Sequence, residues 1–134
     1  MGIKEVLQTA LGFEKKGHDI YEETSNKTKN PIVAKTFRYL AEQELNHIKA
    51  IKWYMEKEKI ELKGDKPEDT KKFFSMSITE FKEKTELSDD DLKAHETALE
   101  LEQRSYDFYK EQHDKTSDEK ARKFFKFFIR REDY

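Results

Sequence analysis

The stretch TALGFEKKGHDIYEE, Thr9 to Glu23, returns as TALELEQRSYDFYKE, Thr97 to Glu111. Displaced by 88 residues, the two share Thr, Ala, Leu, Glu, Asp, Tyr and Glu in register. The same displacement continues without a gap: Lys27-Thr28 falls on Lys115-Thr116, Lys35 on Lys123, Phe37 on Phe125 and Glu44 on Glu132. A repeat of this size marks a duplicated supersecondary unit. Each copy holds two stripes of helical period.

The first stripe runs from about Ile3 to Thr28, with Leu7, Leu11 and Tyr21 on a ladder that also takes Glu14 and His18. Asn30 then reads as an N-cap and Pro31 as a first-turn residue. The second stripe follows as Val33, Phe37, Leu40, Glu44, His47, Ile51 and Tyr54. In the second copy Ser88 is a capping residue, with Asp89 to Asp91 suited to the positive end of a helix. The stripe behind it is Leu92, His95, Leu99, Glu102, Tyr106, Tyr109 and His113. A fourth helix begins near Ser117 or Asp118, with Ala121, Phe125, Phe128 and Glu132 in register and Phe124, Phe127 and Ile129 widening its apolar face.

Between the halves, Ile60 to Glu86 loses the period. Gly64, Asp65 and Pro67 break it, and Lys71 to Lys84 reads as a short extra helix with Phe73, Phe74, Ile78 and Phe81 inward. The expectation is an all-α antiparallel four-helix bundle forming one domain, residues 1–134. Its helix-hairpin halves, about 3–57 and 89–134, are joined by a long crossover, 58–88, between helices 2 and 3. Leu11, Phe37, Leu40, Leu99 and Phe128 should be nearly inaccessible, and Lys15, Lys49 and Lys110 solvated.

Composition agrees. Charged residues make up 42% and apolar residues 34%, the ratio of helices with a narrow buried stripe and a broad wet face. Four Gly and two Pro are too few for the turns of an all-β chain of 134 residues. The absence of cysteine removes disulfides, iron–sulfur clusters and thiolate metal sites, so any metal must use Asp, Glu or His. A formal charge of -2 does not suit a general nucleic-acid binder, and no apolar run reaches the roughly 18 residues of a membrane span. A soluble, cytoplasmic protein without nucleic-acid or membrane partners is expected.

Glu14, Glu44, Glu102 and Glu132 occupy one seam each on the four predicted helices and are equivalent in pairs under the repeat. A lone ionised carboxylate in a helical core costs several kcal/mol unless paired, protonated or bound to a cation. Four converging carboxylates call for positive charge between them. Glu44 and His47, three residues apart on a helix, point to the same side and can hold one ion together. Oxygen donors with one or two imidazoles suit iron or manganese, and a dimetal centre accounts for the pattern best.

These residues carry a resemblance. Glu14 in ALGFEKKGHDIYEE, Glu44 and His47 in AEQELNH, Glu102 in ALELEQRSYDFYKE and Glu132 in RREDY resemble the ferritin-like di-iron carboxylate superfamily, most closely its rubrerythrin branch. The resemblance covers nearly all of the chain outside the crossover. It implies a ferritin-like bundle holding two iron ions, with manganese as the alternative. Glu14 and Glu102 would be terminal ligands, Glu44 and Glu132 bridging ligands and His47 a terminal imidazole. By the same resemblance the activity is that of an oxidoreductase in which two ferrous ions reduce hydrogen peroxide or dioxygen. A ferroxidase linked to iron storage is the nearest variant, and a structural or interaction bundle with a degenerate metal site the alternative of another class.

The chain departs from the branch in three places. The repeat partner of His47 would be residue 135, one past Tyr134, and a histidine is expected there. Ser105 stands where rubrerythrins carry an additional glutamate, which argues against redox-linked ligand exchange. The cysteine-ligated rubredoxin domain of full-length rubrerythrins is absent from these residues, so an external electron donor is needed. Among the other seam residues, His18 is expected to orient a ligand by a hydrogen bond rather than bind metal, Tyr21 and Tyr109 to be core tyrosines with satisfied hydroxyls, and His95 and His113 to be partly exposed. The Phe124 to Phe128 run fills core first; association as a homodimer is its second reading.

Overall fold

The computed structural model describes residues 2–57 and 88–129, and every described element is helical: α1 (Ile3–Lys27), α2 (Pro31–Lys57), α3 (Asp89–Lys115) and α4 (Glu119–Phe128). Glu132, the crossover 58–87 and the extra helix expected at Lys71 to Lys84 lie outside the described residues. The caps are those the residue types dictate. Asn30 Oδ1 accepts from the amides of Ile32 and Val33 at 2.9 and 3.3 Å. Ser88 Oγ accepts from Asp91 N at 3.1 Å, and Asp118 Oδ1 from Lys120 N at 3.0 Å. Each satisfies an otherwise orphaned amide, worth about 1 kcal/mol.

The protein is an all-α, ferritin-like bundle. Contacts between chain-distant side chains fix its topology. Tyr21 of α1 reaches Glu102 of α3, while Tyr109 of α3 reaches Glu14 of α1, so these helices run antiparallel. Tyr54 stacks on Phe124 at 4.5 Å and His47 meets Phe128 edge-on at 5.6 Å, which sets α2 antiparallel to α4. Thr28, after α1, donates to Asp91 in the first turn of α3 at 2.7 Å. Thus α3 starts at the end where α1 finishes, whereas α2 finishes at the end where α1 starts.

Two apolar clusters fill the interior. One, at the end shared by the α1 N-terminus and the α4 N-terminus, gathers Leu7, Leu11, Ile51, Tyr54, Phe124 and Phe128 among others. The other packs Tyr21, Val33, Phe37, Leu40, Ala98 and Leu101. Phe124, Phe125 and Phe128 are all buried there, so most of the aromatic run is spent on the core, and Phe127 is half-buried against it. Leu11, Phe37 and Leu40 are buried, and Lys15, Lys49 and Lys110 exposed, as their register requires. No helix among the described residues is long and apolar enough to cross a membrane.

On α1 the expected ladder holds at Leu7, Leu11, Glu14 and Tyr21 and fails only at His18, whereas the buried face of α3 is rotated a fraction of a turn from its ladder. Leu99 is only half-buried, as are Leu92, Tyr106 and His113. The inward positions include Ala98, Leu101, Glu102 and Tyr109 on α3, and Leu7, Ala10, Leu11, Glu14, Gly17 and Tyr21 on α1. Ala10 and Ala98, equivalent under the repeat, are both buried, whereas Leu11 and Gly17 are buried and their equivalents Leu99 and Ser105 are half-buried. Small residues beside each glutamate let the helices approach closely there, and a ladder drawn through large apolar residues passes them by. His95, expected to be partly exposed, is fully buried: Nδ1 donates to the Asp91 carbonyl at 2.9 Å and the ring sits edge-on to Phe37.

Candidate metal centre

Between the two apolar clusters lies a polar layer built from three helices: Glu14 of α1, Glu44 and His47 of α2 and Glu102 of α3, all buried. The i, i+3 spacing puts Glu44 and His47 on one side of α2. Ligand atoms of Glu14, Glu44 and His47 all lie within 4.8 Å of one another. His47 Nδ1 is 3.4 Å from Glu14 Oε2 and 3.7 Å from Glu44 Oε1. Glu102 joins through Glu44, whose carboxyl lies within hydrogen-bonding reach of both Glu14 and Glu102. Of the five residues singled out in the sequence, these four meet in one layer; Glu132 lies outside the described residues.

Three carboxyl groups in so small a buried space cannot all remain charged. A hydrogen bond between two carboxyls needs a proton on one of them. Burial, then the neighbouring charges of Glu14 and Glu102, push Glu44 well above the usual carboxylate range. Burial also pushes Glu14 upward, but the hydrogen bond from Glu44, the neighbouring His47 imidazole and the Tyr109 hydroxyl outweigh it, and its pKa falls below the ordinary value. The layer is therefore built to hold one proton at its centre, on Glu44, or a cation in its place.

Two tyrosines fix the carboxylates from outside. Tyr109 Oη donates to Glu14 Oε1 and Tyr21 Oη to Glu102 Oε1, each at 2.8 Å. The two bonds are images of each other under the repeat, since Tyr21 corresponds to Tyr109 and Glu14 to Glu102. Burial, then the glutamate charges, push both phenols well above their usual range, so they remain donors. Their hydroxyls are satisfied, as expected of core tyrosines, and the partners are the site carboxylates themselves. The signal was present in the sequence: in each copy a tyrosine stands seven residues, two helical turns, beyond the glutamate.

His18 does not orient a ligand. Its ring faces outward, with Nδ1 3.2 Å from Asp19 and Nε2 3.2 Å from Glu22. Register explains this, because Gly17 takes the inward position. A Cβ at Gly17 would stand 3.0 Å from Glu44 Oε2, so the missing side chain is what lets that carboxylate lean against α1.

The donors fit a hard or borderline divalent cation: anionic oxygens and one imidazole from separate helices, oriented by hydrogen bonds and walled by apolar side chains. The family model for rubrerythrin matches residues 5–134. No curated protein and no solved structure matches the chain.

Proposed function

The chain belongs to the rubrerythrin family, and from that premise we propose that it is a di-iron carboxylate oxidoreductase which reduces hydrogen peroxide, or dioxygen, at the polar layer. The observation that carries this reading is the convergence of Glu14, Glu44 and His47, with Glu102 in hydrogen-bonding reach of Glu44, in a buried layer that can hold a cation in place of the Glu44 proton. Glu14 and Glu102 would act as terminal ligands, Glu44 as a bridging one and His47 as the imidazole; manganese is the alternative metal. When bound, two ferrous ions supply the two electrons that convert peroxide and two protons into two waters.

The chain's own residues do the rest. Tyr109 and Tyr21 each occupy one carboxylate oxygen, leaving the other of Glu14 and Glu102 aimed at the centre. Glu44 gives up its proton when a cation enters, so metal binding releases protons and tightens as pH rises. The apolar clusters on either side exclude bulk water, which strengthens the carboxylate fields within.

The test is anaerobic loading of the metal-free chain with ferrous iron. Uptake of about two ions per chain is expected, followed on peroxide addition by near-ultraviolet absorption of a carboxylate-bridged ferric pair. Glu44→Ala should abolish the signal. No stoichiometric uptake, together with unchanged peroxide reactivity in that variant, would leave a structural bundle in place of the enzyme.

A further inference from the structure

His18, which takes no part in the buried layer, is engaged at both of its ring nitrogens. Nδ1 is 3.2 Å from Asp19 Oδ1 and Nε2 is 3.2 Å from Glu22 Oε2. A neutral imidazole carries only one N–H. When Nδ1–H donates to Asp19, the bare Nε2 faces the Glu22 carboxylate lone pair to lone pair. That contact is favourable only with a cation between the two atoms, either a proton or a metal ion.

The separation has the size of a chelate. With metal bonds of about 2.0–2.1 Å, donors 3.2 Å apart subtend about 100° at the ion, near the tetrahedral angle. Asp19 supplies what a ligating histidine ordinarily needs, a carboxylate on the other ring nitrogen that fixes the tautomer. The i, i+4 spacing of His18 and Glu22 sets both on one face of α1. That face borders a groove of about 270 Å³ whose α2 wall carries Arg38 and Glu42. Glu22 and Glu42 outnumber Arg38, so the lining is acidic, and the exposed Glu42 is placed to offer a third donor.

The repeat does not account for this cluster, because His18 and Glu22 correspond to Tyr106 and Lys110 in the second copy. His113 shows the same pairing without the chelate: Nδ1 is 3.0 Å from Asp114, but Ser117 stands at i+4. Nor does the cluster belong to the buried layer. Gly17 takes the inward position next to it, and Asp19 and Glu22 are exposed.

We propose that His18 and Glu22, with Glu42 across the groove, form an outer site for a borderline divalent cation such as zinc or ferrous iron. The ion takes the place between Nε2 and Glu22, Asp19 keeps the proton on Nδ1, and Glu42 ties α2 to α1 through the metal. The site stands on its own residues, whether or not the buried layer holds iron.

The test uses zinc and the full chain at pH 7.5. Isothermal titration of the metal-free chain should show one ion beyond those taken by the buried layer, and His18→Ala should remove that ion alone. Glu22→Gln, at an exposed position, should do the same and carries the test if His18→Ala fails to fold. Asp19→Asn should weaken the outer ion by roughly tenfold, Glu42→Gln should weaken it too, and His113→Ala should change nothing. Long-range ¹H–¹⁵N spectra of the imidazoles identify the ligand: zinc should shift Nε2 of His18, leave its Nδ1 protonated and leave His113 unmoved. His47 reports the buried layer in the same spectrum. A shift at His47 with none at His18 would overturn the outer site and keep the buried centre. A shift at His18 with none at His47 would uphold the outer site and remove the centre. Zinc stoichiometry unchanged in His18→Ala and Glu22→Gln, or an Nε2 still protonated in saturating zinc, would overturn the proposal and leave His18 as an imidazolium between two acids.

Discussion

Glu44→Gln isolates the proton that the metal-free layer is built to hold. In the folded chain the Glu44 carboxyl is raised well above 4.5 by burial and by Glu14 and Glu102, whereas in the unfolded chain it titrates near 4.5. Between those values the folded state binds one more proton than the unfolded state. Stability is then full below pH 4.5 and falls as pH rises, by about 1.4 kcal/mol per pH unit for a single proton. From pH 5.5 to 7.5 the metal-free wild type should lose up to about 2.7 kcal/mol relative to Glu44→Gln, whose amide keeps the shape of the protonated acid but cannot ionise. The loss levels off at the pH where Glu44 ionises in the folded chain, so the bend reports its pKa.

Glu14 does not disturb this window, because its lowered pKa places its titration below 4.5. The assay is urea unfolding of both chains, freed of metal by chelation, at half-unit pH intervals. Saturating zinc should abolish the wild-type slope by displacing the proton, and should leave Glu44→Gln little stabilised. Parallel stability profiles for the two metal-free chains would refute the reasoning, since they would mean that Glu44 ionises in the fold as it does in water.

Tyr109→Phe and Tyr21→Phe should each cost about 1–3 kcal/mol, because each strips a donor from a buried carboxylate, and should lower zinc affinity by similar factors, as their repeat-related bonds require; isothermal titration measures the second effect. Phe128→Ala should cost about 3–5 kcal/mol in urea unfolding and weaken zinc binding as well, since the ring packs against His47 and Tyr109. His95 contributes the opposite pH sign to Glu44. Burial lowers its pKa below 6.5 against the hydrogen bond and charge of Asp91, so the unfolded state binds the extra proton and stability falls as pH drops below 6.5. In the Glu44→Gln background, the thermal midpoint should therefore fall between pH 7.5 and 5.5 with His95 present and fall less in His95→Leu.

The repeat made the architecture and the glutamate layer legible because both depend on one coarse periodicity: Glu14, Glu44 and Glu102 stay on the buried side under a register error of a small fraction of a turn. On α1 the ladder through Leu7 and Leu11 holds, but on α3 the finer register was not legible, because a ladder through Leu92 and Leu99 assumes that large apolar residues mark the centre of the buried face. At this site the centre is marked by small ones, since Ala10, Ala98 and Gly17 are where carboxylates and neighbouring backbones come close. That shift of one residue places Gly17 inside and His18 among surface acids. It also puts Tyr21 and Tyr109 on the same line as the glutamates they support, so the duplicated Glu-to-Tyr spacing of seven specifies a site rather than a core. The displacement that matches the two halves relates residue pairs within the site, and each crossed Tyr–Glu bond joins one half of the chain to the other. A substitution that loosens one such bond should act on docking of the hairpins and on ligand placement together.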